Sequence, residues 1–187
     1  MNIIKKSSDL LARIHMDDPF APEILALSIA EISHSRSLVI VCVGTDRSTG
    51  DSLGPLIGSK LGKNSLNNIT VYGCLDEPVH ALNLDYFVQH INENHAESVV
   101  LAIDACLGKS DSIGYISFKE GPLKPGIGVN KTLPEIGHYH IIGIVNVGGL
   151  MEYFVLQNTR LSLVMRMSDV IAQSIVIGVK GLSINRA

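Results

Sequence analysis

The sequence predicts an α/β fold with a largely parallel sheet. Two apolar runs, residues 38–43 and 99–103, show no alternation of apolar and polar residues, which is typical of strands buried on both faces. Segments in which apolar residues recur at helical spacing lie between such runs. The chain has 187 residues, of which 46% are hydrophobic and 18% charged, so we expect one core-rich domain over residues 1–187.

Composition and charge exclude several classes of function. The formal net charge is −3 and the 15 Lys and Arg residues are scattered, so no nucleic-acid partner is expected. No run of about 18 apolar residues and no export signal core is present, so we expect a cytoplasmic protein with no membrane contact. The cysteines are three in number, which favours a reducing compartment and no disulfide.

Residues 1–34 are predicted to form a peripheral helical segment. Leu25, Ile29 and Ile32 follow the i, i+4, i+7 spacing of a single apolar helix stripe. The acidic and proline residues at 17–19 separate this helix from the first turns.

The middle of the chain alternates strands and helices. Strands are predicted over residues 38–43, which end at Gly44, and over 69–75 and 99–103. The first intervening helix is expected to stop at Gly62. The apolar residues that define the two helices are Leu53, Leu56, Ile57 and Leu61 in the first and Leu84, Phe87, Val88 and Ile91 in the second.

The last third of the chain is predicted to complete the sheet. Residues 113–118 alternate more strongly and favour an edge or antiparallel strand, whereas 121–134 are rich in Gly and Pro and predict a long loop. Residues 141–147 predict the last strand, and 157–160 are interpreted as a buried polar contact or an interface. A C-terminal helix is indicated by Leu161, Val164, Ile171 and Ile175.

The most unusual local feature is the loop over residues 44–55, between the first buried strand and its helix. Sites in open α/β sheets form at such loops, yet the spacing of glycines matches neither a phosphate-binding loop nor a dinucleotide site. Asp51 in this loop has two compatible interpretations, a helix N-cap and a functional carboxylate.

Asp104 is the second candidate, because it follows five apolar residues of the other buried strand. A carboxylate there must be hydrogen-bonded, paired, metal-bound or protonated. If the two strands are neighbours, Asp51 and Asp104 meet in one crevice, where they either share a proton or hold a cation that activates water. The alternative is that Asp104 only ties down a loop.

Residues 41–55 resemble the opening motif of YyaC-type sporulation proteins, which are relatives of the spore germination protease and, more distantly, of the hydrogenase maturation proteases. The resemblance continues through residues 102–105, 126–131 and 143–148. It covers roughly residues 35–178 and implies a three-layer α/β/α sandwich.

The resemblance also implies roles for the two acids. Asp51 and Asp104 occupy the two acidic positions of the motif. In the germination protease this pair is thought to work without a metal, whereas the hydrogenase proteases add a His that completes a nickel-recognition site. No cofactor is therefore expected here, with a divalent metal as the alternative.

The third position of such a site is ambiguous in this sequence. His138 and His140 lie just before the last predicted strand, and either is a possible third metal ligand or a structural residue. Because their surroundings do not reproduce the helix of the hydrogenase proteases, we expect a metal-free pair.

Four polar residues are candidates for substrate binding. Asp46 and Arg47 lie in the loop that carries Asp51, and Asn130 and Lys131 lie in the long loop. Each of them is also compatible with a simple surface role.

The sequence thus favours a sporulation-associated peptidase that hydrolyses peptide bonds with an acidic pair, in the cytoplasm or the forespore. Its partner would be a peptide or protein substrate, and formation of a homo-oligomer is left open. The first alternative is a non-catalytic sporulation protein that binds a peptide or partner in the same crevice. A nucleoside-phosphorylase-like enzyme is disfavoured because no phosphate-binding Arg cluster is found.

Overall fold

A mixed sheet organises the fold in a computed structural model, which describes residues 10–33, 36–64, 66–125 and 133–181. Its six strands are β1 (Leu10–His15), β2 (Leu38–Cys42), β3 (Ile69–Tyr72), β4 (Val99–Gly108), β5 (Tyr115–Glu120) and β6 (Tyr139–Val147). The helices are α1 (Ala21–Ser33), α2 (Leu53–Leu61), α3 (Leu84–Asn94), α4 (Glu152–Gln157) and α5 (Leu161–Lys180), with a 3₁₀ turn at Ser110–Ser112.

The strand order is β1-β5-β6-β4-β2-β3. Strand β5 is antiparallel to both of its neighbours, whereas the β2–β3, β2–β4 and β4–β6 pairs are parallel. The predicted α/β class with a mostly parallel sheet is therefore confirmed, and so is an antiparallel strand after residue 113.

Helices cover both faces of the sheet and produce three layers. One face packs against α1, α2 and α5 around fully buried side chains such as Ile40 and Leu101. The other face packs against α3, around Val41, Leu84 and Ile91. Neighbouring residues of the two central strands point to opposite layers, which explains why their sequences are apolar without alternation.

The prediction for the N-terminal segment was wrong in two respects. Residues 10–15 form strand β1, which pairs with β5, instead of helical turns. The sequence of this short segment does not alternate between apolar and polar residues, since Leu10 and Leu11 are adjacent, and both leucines are exposed. Pairing with β5 therefore decides its structure. Helix α1 exists as predicted but is not peripheral, because Leu25 and Ile29 are completely buried against α5.

Helix α5 is the one helix in the described part of the chain that is long and apolar enough to cross a bilayer. Its apolar face is used within the protein, since Val164, Met167, Ile171 and Ile175 are fully buried. These residues belong to the core shared with α1 and α2, which accounts for the composition of the helix.

Candidate active site

The candidate site lies where the strand order reverses. From β2 the chain crosses to β3 on one side, while β4 lies on the other side of β2. The backbone N–H of Val43 still donates to the Ile103 carbonyl, at 2.8 Å, whereas Gly44 donates to Val79. The β2–β4 ladder ends at the Cys42–Ile103 pair, whereas β4 continues beside β6 to Gly108, so the two strands separate beyond this level. This is the place at which open α/β sheets bind ligands.

Asp104 is placed in this crevice by strand β4. It stands two residues after Ala102, which packs in the layer of α3, so its side chain lies on the same face of the sheet. Its backbone neighbour on β6 is Ile142. The Asp104 carboxylate accepts a hydrogen bond of 2.8 Å from the Ala105 N–H and retains some contact with solvent.

The loop that carries Asp51 is held against the end of β2 by two glycines. Gly44 has φ +144°, and a Cβ there would lie 2.0 Å from the Asp51 carbonyl oxygen. A Cβ on Gly54 would lie 2.1 Å from the Val43 carbonyl oxygen. Because only glycine permits these close approaches, the loop can fold back and bring Asp51 over the crevice.

The N-cap interpretation of Asp51 was wrong. Helix α2 starts at Leu53 with Ser52 at its cap position, and no side chain makes a capping hydrogen bond. The Ser52 hydroxyl instead donates to the Thr49 carbonyl, at 2.7 Å. Asp51 sits one residue outside the cap position, in the turn above the crevice.

The two carboxyl groups interact with each other electrostatically. Burial raises the pKa of Asp104 to about 8, the Ala105 N–H opposes this increase, and the charge of Asp51 adds to it. Burial also raises the pKa of Asp51 above its usual value, against the effect of the Ser48 hydroxyl. At neutral pH the pair therefore holds a proton, mainly on Asp104.

Ser48 is the second polar group beside Asp51. Its hydroxyl is buried, and no hydrogen bond of normal length and angle joins it to any of the described residues. It lies close enough to Asp51 to favour the charged form of that carboxylate. Because this hydroxyl is closed to solvent, its effect is on the Asp51 carboxylate beside it.

Cys106 extends the same face of β4 beyond Asp104. Burial and the Asp104 charge raise the pKa of its thiol to about 11, against the effect of Lys119. The thiol therefore remains protonated at neutral pH and is a poor nucleophile.

A polar contact braces the acidic loop. Asn146, near the end of β6, donates to Thr159 Oγ1 at 3.2 Å and to the Val155 carbonyl at 3.3 Å. The Gly50 N–H donates to the Leu156 carbonyl, at 2.9 Å. Of residues 157–160 only Thr159 is buried, so the interpretation of this segment as a buried polar contact holds for Thr159 and not for the other three residues, which are exposed.

The candidate substrate-binding residues are only partly covered by the structure. Asp46 and Arg47 are exposed in the loop that carries Asp51. The Thr45 hydroxyl accepts a bond from the Arg47 N–H, at 3.3 Å, which fixes the turn between them. Asn130 and Lys131 lie outside the described residues.

His138 does not reach the acidic pair, so the prediction that it is a possible third metal ligand there was wrong. It lies four positions before Ile142, the β6 neighbour of Asp104, which corresponds to about 13 Å along the strand. At that end of the sheet its Nδ1 accepts a hydrogen bond from the Val100 N–H. His140 lies within β6, and its Nδ1 contacts the Gly121 carbonyl at 2.8 Å.

The donor atoms at the pair do not suit a firmly held Zn²⁺ or Ni²⁺ ion. Such an ion needs nitrogen or sulfur ligands, whereas Asp51 and Asp104 supply oxygen alone. Within the described ranges no three His, Cys, Asp or Glu residues form a group that could hold a metal ion.

Comparison with known proteins agrees with the resemblance. Residues 13–174 match the family described as "Protein of unknown function (DUF1256)". Over 163 residues the chain is 50% identical to "Uncharacterized protein YyaC" of Bacillus subtilis (strain 168), covering 86% of the chain and 80% of that relative. The predicted YyaC-type resemblance is therefore confirmed.

A solved structure shows the same fold. The chain is similar to the NiFe hydrogenase maturation protease HycI from Thermococcus kodakarensis KOD1, with a TM-score of 0.53. The match covers 80% of this chain and 99% of that one at 13% sequence identity. It confirms the predicted fold class, and at this identity it shows the fold alone.

Proposed function

The chain belongs to the DUF1256 family, and from the acidic pair in its crevice we propose that it is a peptidase, with Asp51 and Asp104 as the catalytic residues. Its substrate is a peptide or protein. The activity belongs to the cytoplasm of a spore-forming cell, including the forespore. The resemblance of residues 41–55 to sporulation proteins supports this setting.

The observation that carries the proposal is the unequal environment of the two carboxyl groups. Burial raises the pKa of Asp104 to about 8, while Asp51 is less strongly affected and is favoured in its charged form by Ser48. One group is then protonated and the other ionised near neutral pH. Two carboxyl groups in different protonation states are what general acid and general base catalysis requires.

Hydrolysis follows from these two states. The Asp51 carboxylate accepts a proton from water as the water oxygen forms a bond to the carbonyl carbon of the peptide. Asp104 donates its proton to the carbonyl oxygen, which stabilises the tetrahedral intermediate. As the C–N bond breaks, the leaving nitrogen takes the proton held by Asp51, and the carbonyl oxygen returns a proton to Asp104.

The fixed position of the pair supports this mechanism. Asp104 lies on a central strand, and the Ala105 N–H holds one of its oxygens. Asp51 lies in a loop that Gly44 and Gly54 hold against β2. Catalytic groups on rigid supports lose little entropy when substrate binds.

The test is cleavage of a peptide library, with new termini identified by mass spectrometry. We expect cleavage by the wild-type chain with and without a chelator, and its loss by at least about 100-fold in Asp51→Asn and in Asp104→Asn. Asp76→Asn is the matched control, because Asp76 is an exposed carboxylate outside the acidic loop. Cleavage that persists in both acid variants contradicts the proposed mechanism.

Binding without cleavage is the second candidate function, and exposed apolar side chains near the crevice favour it. Leu150, Met151, Tyr153 and Phe154 are all more than half exposed. They lie on and before α4, the helix that accepts the hydrogen bond from Gly50 of the acidic loop. A chain that retains peptides from the library unchanged would support this second function.

A further inference from the structure

Three side chains converge at the edge of the sheet, away from the acidic pair. Tyr72 is the last residue of β3, the outermost strand, and His90 and His95 lie at the end of α3. The Tyr72 hydroxyl oxygen is 3.1 Å from His90 Nε2 and 2.8 Å from His95 Nε2. All three side chains are partly exposed, so an ion from solvent has access to them.

The neighbouring residues hold this cluster in position. The Tyr86 ring stacks on His90, with 5.8 Å between the ring centroids and 19° between the planes. The Phe87 ring packs against the Tyr72 ring, with 5.6 Å between the ring centroids. The Asn94 side chain contacts His90 Nδ1, at 3.2 Å, on the side of the ring opposite to Tyr72. The three donor atoms are therefore oriented before any ligand binds.

We propose that Tyr72, His90 and His95 bind a divalent first-row transition-metal ion of the Zn²⁺ type. Two imidazole nitrogens and one phenolate oxygen suit such ions, and water completes a tetrahedron. Metal–ligand bonds of about 2.0–2.1 Å separate neighbouring ligand atoms by about 3.3 Å in a tetrahedron. The two separations between Tyr72 and the histidines, 2.8 and 3.1 Å, are a few tenths of an ångström shorter than this value.

Metal binding changes the protonation of the cluster in a defined way. Binding of the ion to Tyr72 as a phenolate displaces the phenol proton into solvent. Coordination through Nε2 leaves the proton of His90 on Nδ1, beside the Asn94 side chain. About one proton is therefore released for each ion bound.

The ion would fasten the end of α3 to the edge strand. Among the described residues, strand β3 pairs only with β2, through four residues, and forms an edge of the sheet. A bond network from β3 to α3 through the metal acts only in the folded state, and it should raise the melting temperature in the presence of Zn²⁺. This role does not depend on the proposed peptidase activity.

Titration calorimetry with Zn²⁺ alone, in two buffers of different ionisation enthalpy, tests the proposal. We expect about one equivalent to bind with release of about one proton. His90→Ala and His95→Ala should each weaken binding at least tenfold. Tyr72→Phe should abolish the proton release while keeping the ring that packs on Phe87.

Two matched variants exclude other sites. His15→Ala removes a partly buried histidine from the opposite edge strand, and Asp104→Asn removes the buried acid; both should bind Zn²⁺ as the wild type does. The absorption spectrum of bound Co²⁺ gives a second readout, because tetrahedral coordination by these ligands changes it. Absence of Zn²⁺ binding, or binding that is unchanged in Tyr72→Phe and in both histidine variants, would overturn the proposal.

Discussion

Replacement of Asp104 by Asn should make the protein more stable while removing the proposed peptidase activity. Asp104 lies in the crevice with a pKa raised to about 8, mainly by burial. An asparagine has almost the same shape and cannot ionise. The variant therefore removes the free-energy cost of keeping this carboxyl group away from bulk water.

The size of the effect follows from proton linkage. The ordinary pKa of this carboxyl group is 3.8 and its pKa in the folded chain is about 8. At any pH between these two values Asp104 holds its proton in the folded chain and loses it in the unfolded chain. Stability therefore falls as the pH rises through this range, by about 1.36 kcal/mol per pH unit. At pH 7 this effect lowers the free energy of unfolding of the wild type by at most about 4 kcal/mol. We expect Asp104→Asn to recover about 1 to 4 kcal/mol of it, because burial of the asparagine amide has a cost of its own.

Urea unfolding of both chains near pH 4, 7 and 9, followed by circular dichroism, measures this difference. The difference in free energy of unfolding between Asp104→Asn and the wild type should shift in favour of the variant from pH 4 up to about pH 8 and change little above that pH. Asp76→Asn is the control, because Asp76 is exposed and should show no such trend. A difference that stays constant with pH would refute the linkage argument.

Three further predictions concern the glycines, the thiol and the pH dependence of activity. Gly54→Ala should unfold the chain or destabilise it by more than about 3 kcal/mol, because its Cβ would lie 2.1 Å from the Val43 carbonyl oxygen. Gly62→Ala is the control and should change the urea midpoint little, because the nearest described atom to its Cβ would be 3.5 Å away. Iodoacetamide should modify Cys106 faster at pH 9 in Asp104→Asn than in the wild type, as followed by mass spectrometry, because the negative charge that raises the thiol pKa is gone. Peptidase activity should decline above about pH 8, where Asp104 loses the proton that it donates, and an activity that is constant up to pH 10 would exclude Asp104 as the acid.

Much of the fold could be predicted because its central strands have an unambiguous pattern. Strands β2 and β4 are buried on both faces, and the helices α2, α3 and α5 show clear helical spacing. Strand β1 could not be predicted, since its conformation depends on pairing with β5, about 100 positions later in the chain. The burial of α1 likewise depends on its contact with α5.

The site was predictable to the extent that it follows from strand ends. Asp51 and Asp104 follow two neighbouring parallel strands, so their meeting at the crevice could be expected from topology. The place of His138 could not be judged from sequence, because it depends on whether β6 runs parallel or antiparallel to β4. The cluster of Tyr72 and His95 joins residues of two separate elements, and no local pattern indicates it.

Titration of the Asp104 carboxyl carbon by ¹³C NMR tests most directly whether the acidic pair holds a proton at neutral pH. We predict a midpoint near pH 8 in the wild type and a lower midpoint in Asp51→Asn, because the neighbouring charge is then absent. A midpoint below about pH 5 would mean that Asp104 is ionised at neutral pH, and a midpoint that Asp51→Asn leaves unchanged would mean that Asp104 is independent of Asp51; either result would exclude the proton-sharing pair.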